Sequence, residues 1–468
     1  MKCPLLLLFA VLLAPLASLA ADAMKSESVA KPNIIFILTD DQKRDALGCM
    51  GNTNILTPNI DRLAKNGVLF ENNFVTTSIC VCSRASILTG QYMRRHGIED
   101  FEKPFKEAQW KETYPALLRQ NGYYTGFIGK FGVGNDKAVN AMADKFDYWK
   151  GVPGQGGKYF IDPKDHNRVH ETAKFGQDSL EFLRGTPTNR PFCLSISFTA
   201  PHARDDMPHL EQFQPDDRDL TLYKETPLPV SATSNPEYFA KLPVSVQNSV
   251  GHERWLWRFD TADHYQSSAK NYYRLITGID REVGRITEEL KKRGLEKNTV
   301  IIFTSDNGYF LGDRQLSDKF FMYEESLRVP LIVCDPRESR KDNGRREKAM
   351  TLNIDLAPTM LALAGIKEPQ SMQGQSLVPL LENKHPKDWR TEFFYEHHTH
   401  PKIIPPSEGV RTGRWVYIRW INENPVLEEL FDLKSDLLEA HNVAGDVANR
   451  KILSQLQAKW SKYQADLK

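Results

Sequence analysis

Over roughly the first four-fifths of the chain, short runs of consecutive apolar residues alternate with stretches in which apolar residues recur every three or four positions. Short, β-rich apolar runs predict strands at 34–38, 125–128, 192–198, 300–304 and 331–333. Apolar residues spaced three and four apart predict helices between them, the clearest over 271–293. One face of that helix carries Leu275, Ile279, Val283, Ile286 and Leu290. Strands that alternate with helices indicate an α/β domain with a large, mostly parallel sheet covered by helices.

Two stretches depart from this alternation. Residues 203–268 are rich in proline, charge and aromatic side chains, and a long irregular insertion of this kind is more often functional than not. From 386 onward, strand-like runs at 392–396, 409–412 and 415–420 precede an amphipathic helix at 450–463. We therefore predict a main domain over 31–380 and a smaller α+β subdomain over 386–468 with an antiparallel sheet.

The N-terminus is typical of a secretory signal peptide, which we predict over 1–21. Lys2 precedes an apolar run over 4–16, and small residues follow it. A membrane anchor is the alternative, but the run is short for a bilayer span. No other stretch of the sequence is long and apolar enough to span a membrane. We expect an exported protein, periplasmic or secreted, with no stable membrane span.

The composition narrows the classes of partner. The 468 residues carry a formal net charge of +1, so no global basic field favours nucleic acid. Six cysteines in a chain of this length do not make a disulfide framework. Cys193 and Cys334 lie in strand-like runs and are interpreted as small buried hydrophobic residues.

Polar side chains collect where two predicted strands end. Asp40 and Asp41 follow the first strand, and Asp306 and Asn307 follow the strand at 300–304. In parallel sheets, ligand-binding groups gather beyond the carboxyl ends of the strands. These four side chains form an all-oxygen set that suits Ca²⁺, with Mg²⁺ as the alternative, better than zinc. The competing interpretation is that each pair caps a helix or a turn.

Cys80 has three interpretations. It is a reactive thiolate, a buried structural cysteine, or the precursor of a modified residue; a thiolate would want a neighbouring histidine, which the local sequence lacks. The segment Cys80-Val81-Cys82-Ser83-Arg84, which continues to Leu88-Thr89-Gly90, resembles the signature of the formylglycine-dependent sulfatases of the alkaline phosphatase superfamily. The usual signature has proline or alanine at the third position, where this chain has Cys82.

The resemblance extends over nearly the whole chain after the predicted signal peptide. In chain order, the family-like blocks are 32–42, 80–90, 122–130, 200–202, 305–308, 319–330 and 353–359. It implies an alkaline-phosphatase-like fold, in which a large mixed, mostly parallel sheet lies between helices. Residues 31–380 would then be the sulfatase catalytic domain.

The resemblance also implies the chemistry of Cys80. A formylglycine-generating or other sulfatase-maturing enzyme would oxidise this residue to formylglycine (3-oxoalanine). One hydroxyl of the hydrated aldehyde attacks the sulfur of a sulfate ester, and the other then expels sulfate, while surrounding groups stabilise the growing negative charge. The metal ligands implied by the family are Asp40, Asp41, modified Cys80, Asp306 and Asn307.

Four further residues receive roles from the same resemblance. Arg84 would steady the diol, and Lys130 and Lys319 would bind sulfate oxygens. His202 would protonate the leaving alcohol. Taken without the resemblance, such lysines are ordinary solvated charges and such a histidine is structural.

Three positions depart from the family pattern. Gly132 stands where many members have a histidine that contacts the diol, and the nearest candidates to replace it are His96 and His166. Arg314 stands where the block after Asp306 often carries a histidine. Cys82 at the third signature position bears on recognition by the maturing enzyme.

The expected substrate is a sulfated carbohydrate, such as a glycosaminoglycan or another sulfated polysaccharide fragment. Trp255, Trp257, Trp420 and the run at 154–160 support this expectation, as does the habit of the family. The candidate substrate contacts are Arg314, His397, His398, His400 and Arg411. Two other functions remain open: a phosphodiesterase or phosphonate hydrolase of the same superfamily, and a binder of sulfated glycans without catalytic activity.

Overall fold

The computed structural model describes residues 31–154, 159–161, 168–207, 211–337 and 343–467. The predicted signal peptide, His166 and part of the run at 154–160 lie outside these residues. The strands are β1 (Asn33–Thr39), β2 (Val68–Phe74), β3 (Tyr124–Lys130), β4 (Tyr148–Val152), β5 (Phe160–Ile161), β6 (Val169–His170), β7 (Phe192–Ser197), β8 (Thr299–Ser305), β9 (Leu331–Cys334), β10 (Arg345–Leu352), β11 (Glu392–His397), β12 (Ser407–Thr412), β13 (Trp415–Trp420) and β14 (Leu427–Asp432).

The α-helices lie between these strands and after them. They are α1 (Pro58–Lys65), α2 (Cys80–Thr89), α3 (Met93–His96), α4 (Glu107–Lys111), α5 (Tyr114–Gln120), α6 (Asp136–Asn140), α7 (Glu171–Gly185), α8 (Pro236–Phe239), α9 (Val244–Gln247), α10 (Val250–Arg258), α11 (Ala262–Lys292), α12 (Glu324–Leu327), α13 (Leu356–Leu363), α14 (Val378–Leu381) and α15 (Arg450–Asp466).

Eight strands form the main sheet in the order β10-β2-β9-β8-β1-β7-β3-β4. Strand β9 is antiparallel to both of its neighbours, and the other neighbouring pairs are parallel. The structure therefore confirms the predicted mixed, mostly parallel sheet.

Helices cover both faces of this sheet, as the central strand β1 shows. It is buried along its whole length, as expected for a strand between two helical layers. Ile34 and Phe36 pack into the core that contains residues of α5 and α13. Ile35 and Ile37 point the other way, into the core that contains residues of α7 and α11.

Helix α11 is longer than the sequence predicts, because it begins at Ala262 rather than at 271. The hydroxyl of Thr261 accepts a hydrogen bond from the backbone N–H of His264, which caps the helix. The added first turns lie mostly in the irregular stretch at 203–268, where apolar residues do not recur at helical spacing. The rest of 203–268, where described, contains the short helices α8, α9 and α10.

A second sheet confirms the antiparallel C-terminal prediction. Strands β11 to β14 pair in sequence order, and Leu456 of α15 packs on Val410, Tyr417 and Leu430. The residues from Lys31 onward form one compact unit, and the proposed boundary between 380 and 386 stays a prediction. In the part of the chain that the structure describes, none of the five cysteines forms a disulfide, and no helix combines the length and apolar character that a bilayer crossing requires.

Candidate active site

The ends of β1 and β8 bring four polar side chains together. The two strands are parallel neighbours, with Thr39 opposite Ser305, so the residues that follow them meet at one edge. The backbone N–H of Asp41 donates to Oδ1 of Asp306 at 3.3 Å, and Nδ2 of Asn307 donates to Oδ1 of Asp41 at 2.6 Å. Asp40, Asp41, Asp306 and Asn307 are all fully buried.

Three cations contact these acids: the ammonium groups of Lys130 and Lys319, described here, and the guanidinium of Arg84, described below. Nζ of Lys130, the last residue of β3, lies 2.5 Å from Oδ2 of Asp40. Nζ of Lys319 lies 2.7 Å from Oδ1 of Asp41. The structure therefore places both predicted sulfate-binding lysines in contact with the predicted metal-binding acids.

Arg84 links the two pairs of acids. Its Nε lies 2.8 Å from Oδ2 of Asp306 and its Nη2 lies 3.1 Å from Oδ2 of Asp40. Nη1 donates to the carbonyl oxygen of Lys130 at 2.6 Å and to the hydroxyl of Ser197. Ser197 was not predicted as a site residue, because a single serine within an apolar strand has no distinguishing sequence pattern.

Cys80 begins α2 and is 2 % exposed. Burial raises the pKa of its thiol, and the charges of Lys130 and Lys319 oppose this rise only in part. The unmodified residue is therefore a neutral thiol at physiological pH, and a neutral thiol is a weak nucleophile. The position nevertheless lies within the field of both lysines, where an anionic substrate group is attracted.

His202 joins the same cluster. Its Nε2 lies 3.5 Å from Oδ2 of Asp41, and Nδ1 lies 2.5 Å from the carbonyl oxygen of Ala203. Because a carbonyl only accepts, Nδ1 carries the proton of the neutral ring. Burial, reinforced by the charge of Lys319, lowers the pKa of His202 to about 4.

The acids are suited to a divalent cation. Oδ1 of Asp40 and Oδ1 of Asn307 are buried and have no hydrogen-bond partner among the described residues. Ligand atoms of Asp40, Asp41 and His202 lie within 4.8 Å of one another. Buried carbonyl and carboxylate oxygens that lack protein partners are what a hard cation such as Ca²⁺ or Mg²⁺ binds. The donor set therefore fits the metal that the sequence predicts.

In the metal-free cluster, burial and neighbouring charges shift the pKa values of the three aspartates in different directions. Burial, and then the charge of Asp40, raises the pKa of Asp306 to about 7. Burial also raises the pKa of Asp41. By contrast, the combined attraction of Lys130 and neighbouring cations outweighs burial at Asp40 and holds the pKa of that carboxyl well below its usual range.

We expect metal binding to weaken below neutral pH. The folded metal-free protein protonates Asp306 near pH 7, above the value of about 4 for an unfolded aspartate, so its stability falls as pH rises from about 4 to 7. Metal binding requires the ionised form, so at pH 6 each ion displaces a proton and the apparent Kd for Ca²⁺ is about tenfold weaker than at pH 8. Calorimetric titration of the EDTA-treated protein measures this, and D306N is expected to reduce the dependence, with Asp41 supplying what remains. Equal affinities at both values would contradict it.

Gly132 has a structural reason to lack a side chain. Its φ is +73°, and a β-carbon there would lie 2.5 Å from Cδ of Arg84. The guanidinium of Arg84 is held by two carboxylates, so it does not move aside without loss. His96 does not supply a replacement from its present contacts, because Nε2 contacts Ser86 Oγ at 3.1 Å and Nδ1 accepts from the backbone of Ile98 at 3.0 Å.

The variant G132A is expected to lose at least about 2 kcal/mol of unfolding free energy and about a hundredfold in kcat, since displaced catalytic groups carry costs of this size. The control is G365A: Gly365 has a φ of +69° and nothing within 4 Å of its β position. G365A places alanine at a similar positive φ but causes no steric clash with another side chain. Its kcat is therefore expected to equal that of the wild type. Equal kcat values for the two variants would show that Arg84 tolerates a side chain at 132.

Three of the candidate substrate contacts are engaged by other protein groups. Arg314 is buried, its Nε lies 3.2 Å from Oε1 of Glu325, and its other nitrogens donate to the carbonyl oxygens of residues 438 and 439. Nε of Arg411 lies 2.8 Å from Oε1 of Glu324. Nε2 of His398 contacts Oε1 of Glu408 at 3.1 Å. The roles of these three residues toward a substrate stay predictions.

The surroundings of His397 differ from those of Arg314, Arg411 and His398. It is fully buried, and its ring lies 5.9 Å from that of Phe320, the residue after Lys319. Neither of its ring nitrogens has a hydrogen-bond partner among the described residues. His400 stacks on Phe101 with ring centroids 5.8 Å apart.

The irregular insertion supports the site in a way that the sequence did not reveal. Nη1 of Arg258 lies 2.5 Å from Oδ1 of Asp318, and Arg254 pairs with the other oxygen of the same carboxylate. Asp318 precedes Lys319 and has a φ of +67°. Helix α10 therefore fixes the backbone that carries the lysine, and the two arginines at four-residue spacing are the signal that could have predicted it.

Two family models match the chain. The sulfatase model covers residues 32–366, and the model for the C-terminal part of N-sulphoglucosamine sulphohydrolase covers residues 312–466. The chain belongs to the sulfatase family. The family resemblance seen in the sequence is thus confirmed, and with it the reaction class: the protein is a hydrolase of sulfate esters.

Relatives and solved structures extend this comparison. The sulfatase is 31% identical to N-acetylglucosamine-6-O-sulfatase of Bacteroides thetaiotaomicron, over 95% of this chain and 89% of the relative. It superposes with a TM-score of 0.81 and 28% identity on a protein solved in complex with its substrate D-glucosamine-2-N,6-O-disulfate, over 93% of this chain and 98% of that chain. A phosphonate monoester hydrolase of Agrobacterium radiobacter gives a TM-score of 0.77 at 21% identity, over 93% and 96% of the two chains. That likeness shows the shared alkaline-phosphatase-like fold alone.

Proposed function

We propose that this sulfatase removes sulfate from a sulfated carbohydrate, with formylglycine formed from Cys80 as the nucleophile and Ca²⁺ as the bound ion. The observation that carries the proposal is that the buried Cys80 lies within the electrostatic influence of Lys130, Lys319, Asp40 and Asp306, and that the two lysines contact the buried acids Asp40 and Asp41. The substrate class is supported by the relative that is an N-acetylglucosamine-6-O-sulfatase and by the neighbour bound to a sulfated glucosamine. Mg²⁺ is the alternative ion, because the same oxygen ligands suit it.

When present, hydrated formylglycine supplies a hydroxyl that attacks sulfur, and a divalent cation supplies charge that offsets the carboxylates. The residues of the chain bind and orient the ester. Lys130 and Lys319 hold the sulfate oxygens, where negative charge grows as the ester bond breaks. Arg84 cannot move freely, because two carboxylates and a carbonyl oxygen hold it, and it fixes the position of the nucleophile.

His202 is proposed to protonate the leaving alcohol. In the resting protein its ring is neutral, with the proton on Nδ1 and Nε2 toward Asp41. A bound sulfate ester adds negative charge beside the ring, which raises its pKa and favours a second proton on Nε2. That proton passes to the leaving oxygen, so the alcohol departs without a full negative charge.

Parallel assays of sulfate and phosphate release test this proposal. N-acetylglucosamine 6-sulfate and a sulfated disaccharide are expected to release sulfate with a larger kcat/KM than phosphodiesters and phosphonate monoesters of similar size. Faster turnover of the phosphorus esters would favour the second enzyme class. Binding of the sulfated sugar without turnover, by protein in which Cys80 is unmodified although the host has a maturing enzyme, would favour a glycan binder.

Export and maturation complete the proposal. The run of apolar residues after Lys2 supports cleavage of a signal peptide and delivery to the periplasm or the medium. A formylglycine-generating or other sulfatase-maturing enzyme is the expected partner. The N-terminal sequence of the protein recovered outside the cytoplasm tests export; an uncleaved N-terminus in the cytoplasmic fraction would contradict it.

A further inference from the structure

A polar cavity of about 580 Å³ lies apart from the catalytic residues. Its lining comes from parts of four segments, 43–54, 229–233, 311–328 and 437–439, and from two tyrosines of helix α11. The described residues that line it include neither Cys80 nor any of the acids and lysines that make up the active site. The cavity is thus a separate space, and its volume is in the range of small-molecule sites.

The chain leads directly from the active site into this cavity. Arg44, a lining residue, follows the acid Asp41 by three positions, and three residues of chain span at most about 11 Å. The hydroxyl of Tyr272 fixes the turn between them: it donates to the carbonyl oxygen of Asp41 at 2.6 Å and accepts from the backbone N–H of Lys43 at 2.8 Å. The cavity therefore lies at a fixed, short distance from the acids.

The charge of Arg44 is not balanced by the protein. The side chain is half-buried, and its Nε is buried without a hydrogen-bond partner. Its guanidinium forms no hydrogen bond or ion pair with any residue that the structure describes. Other cations of the lining are paired: Lys43 lies 2.9 Å from Asp313 and Arg314 lies 3.2 Å from Glu325.

Neighbouring arginines add to the positive charge at this place. Burial lowers the pKa of Arg328 to about 10, and the charges of Arg44 and Arg411 add to this fall, whereas Glu324 opposes it. The carboxylate of Glu324 is shared, because Oε1 lies 2.8 Å from Nε of Arg411 and Oε2 lies 3.5 Å from Nη1 of Arg328. A further negative group beside Arg44 would reduce this repulsion.

A second unsatisfied donor lines the same cavity. Glu439 is 3 % exposed, and burial raises the pKa of its carboxyl well above the usual range, so the neutral form is favoured. Oε2 accepts from the backbone N–H of Glu324 at 3.0 Å and from Nη2 of Arg314 at 3.3 Å. The proton therefore belongs to Oε1, which is buried and has no partner among the described residues. Buried polar atoms are rarely left in this state.

We propose that this cavity binds an oxyanion group, a sulfate or a carboxylate, on a sugar next to the one that loses its sulfate, and that Arg44 pairs with it. The inference rests on the proposed function. Arginine binds either anion through two parallel N–H donors. A bound cation does not match the cavity, because its unsatisfied groups are donors. The consequence is a preference for oligosaccharides that carry more than one anionic group.

The experiment compares R44M and R44K with the wild type on two substrates. One is N-acetylglucosamine 6-sulfate, which has a single anionic group, and the other is a heparin tetrasaccharide. R44M is expected to raise KM for the tetrasaccharide about tenfold, from the loss of a charge-assisted hydrogen bond, with kcat unchanged. R44K retains the charge and should recover part of the loss. On the monosaccharide both variants should stay within about twofold of the wild type.

The matched control is R450M, because Arg450 is an exposed arginine at the start of α15 that does not line the cavity. It removes the same charge and should leave both KM values unchanged. A carboxyl-reduced heparin tetrasaccharide identifies the anion. If the effect of R44M disappears on this probe, the bound group is a carboxylate; if the effect persists, it is a sulfate.

Two results would overturn the proposal. Equal increases in KM on both substrates would mean that Arg44 acts on the active site or on the fold, and an unchanged KM for the tetrasaccharide would mean that the substrate does not reach the cavity. If the wild type releases sulfate from neither substrate, the proposed function fails. The cavity is then decided by calorimetry: the heparin tetrasaccharide should still bind the wild type about tenfold more tightly than R44M, and equal affinity or no binding would refute it.

Discussion

C80A is expected to lower kcat for sulfate release by at least about ten-thousandfold, as removal of an enzyme's nucleophile does. Residue 80 begins α2 and lies within the field of Lys130 and Lys319. Alanine carries no atom that a maturing enzyme can convert to an aldehyde, so no attacking hydroxyl forms. The lysines proposed to bind sulfate remain, and binding of a sulfated sugar should therefore persist.

The control for C80A is C193A. Cys193 is also buried, but it lies in the middle of β7, opposite Ile34 of β1. This change removes the same atom from the core and costs stability without removing the nucleophile. Sulfate release is measured for both variants after their melting temperatures have been compared. A C80A protein with more than a small fraction of wild-type turnover would disprove the assignment.

K319M is expected to lower kcat by about a hundredfold to a thousandfold, because it removes one of the two charged donors proposed to bind the sulfate oxygens. It should also destabilise the metal-free protein by about 3 kcal/mol, since Asp41 is left buried without its ammonium partner. Addition of Ca²⁺ should restore part of that stability, because the ion neutralises the same carboxylate, but it should not restore turnover.

The control for K319M is K43M, which should lower stability without lowering kcat. Nζ of Lys43 lies 2.9 Å from Oδ1 of the buried Asp313, so this variant also breaks a largely buried ion pair. We expect a similar fall in melting temperature and a kcat close to that of the wild type. If K43M and K319M lost turnover to the same degree, Lys319 would have no special role in binding the ester.

The main strands were predictable because they are apolar throughout. The runs at 34–38 and 300–304 became β1 and β8 with small shifts of their ends. Strand β2 was not predicted, because Glu71, Asn72 and Asn73 interrupt its apolar residues. Its pairing with β10 and β9 depends on contacts with distant parts of the chain, which no local pattern contains.

The site could be predicted where residue type alone limits the chemistry. Adjacent acids at the end of a strand require cations, and the structure brings Lys130 and Lys319 to Asp40 and Asp41. The family resemblance was needed to choose those two lysines, because the sequence does not show which lysines are buried.

Contacts with the substrate were harder to predict, because they depend on strand phase and on backbone conformation. His397 and His398 are adjacent and therefore face opposite sides, but only the coordinates show that His397 is the one that faces Phe320 and that His398 faces Glu408. Arg314 has a φ of +55° and turns its guanidinium toward Glu325 and the C-terminal segment. The missing histidine at Gly132 also has a cause that only coordinates reveal, namely the path of the Arg84 side chain.

Formation of formylglycine from Cys80 is tested most directly by the mass of the peptide that contains this residue, taken from protein produced in a host with a sulfatase-maturing enzyme. We expect the mass of an aldehyde in place of the thiol, with a fraction of modified peptide that rises in proportion to sulfate release between preparations. An unmodified thiol in protein that releases sulfate at its full rate would show that Cys80 does not supply the nucleophile in this way.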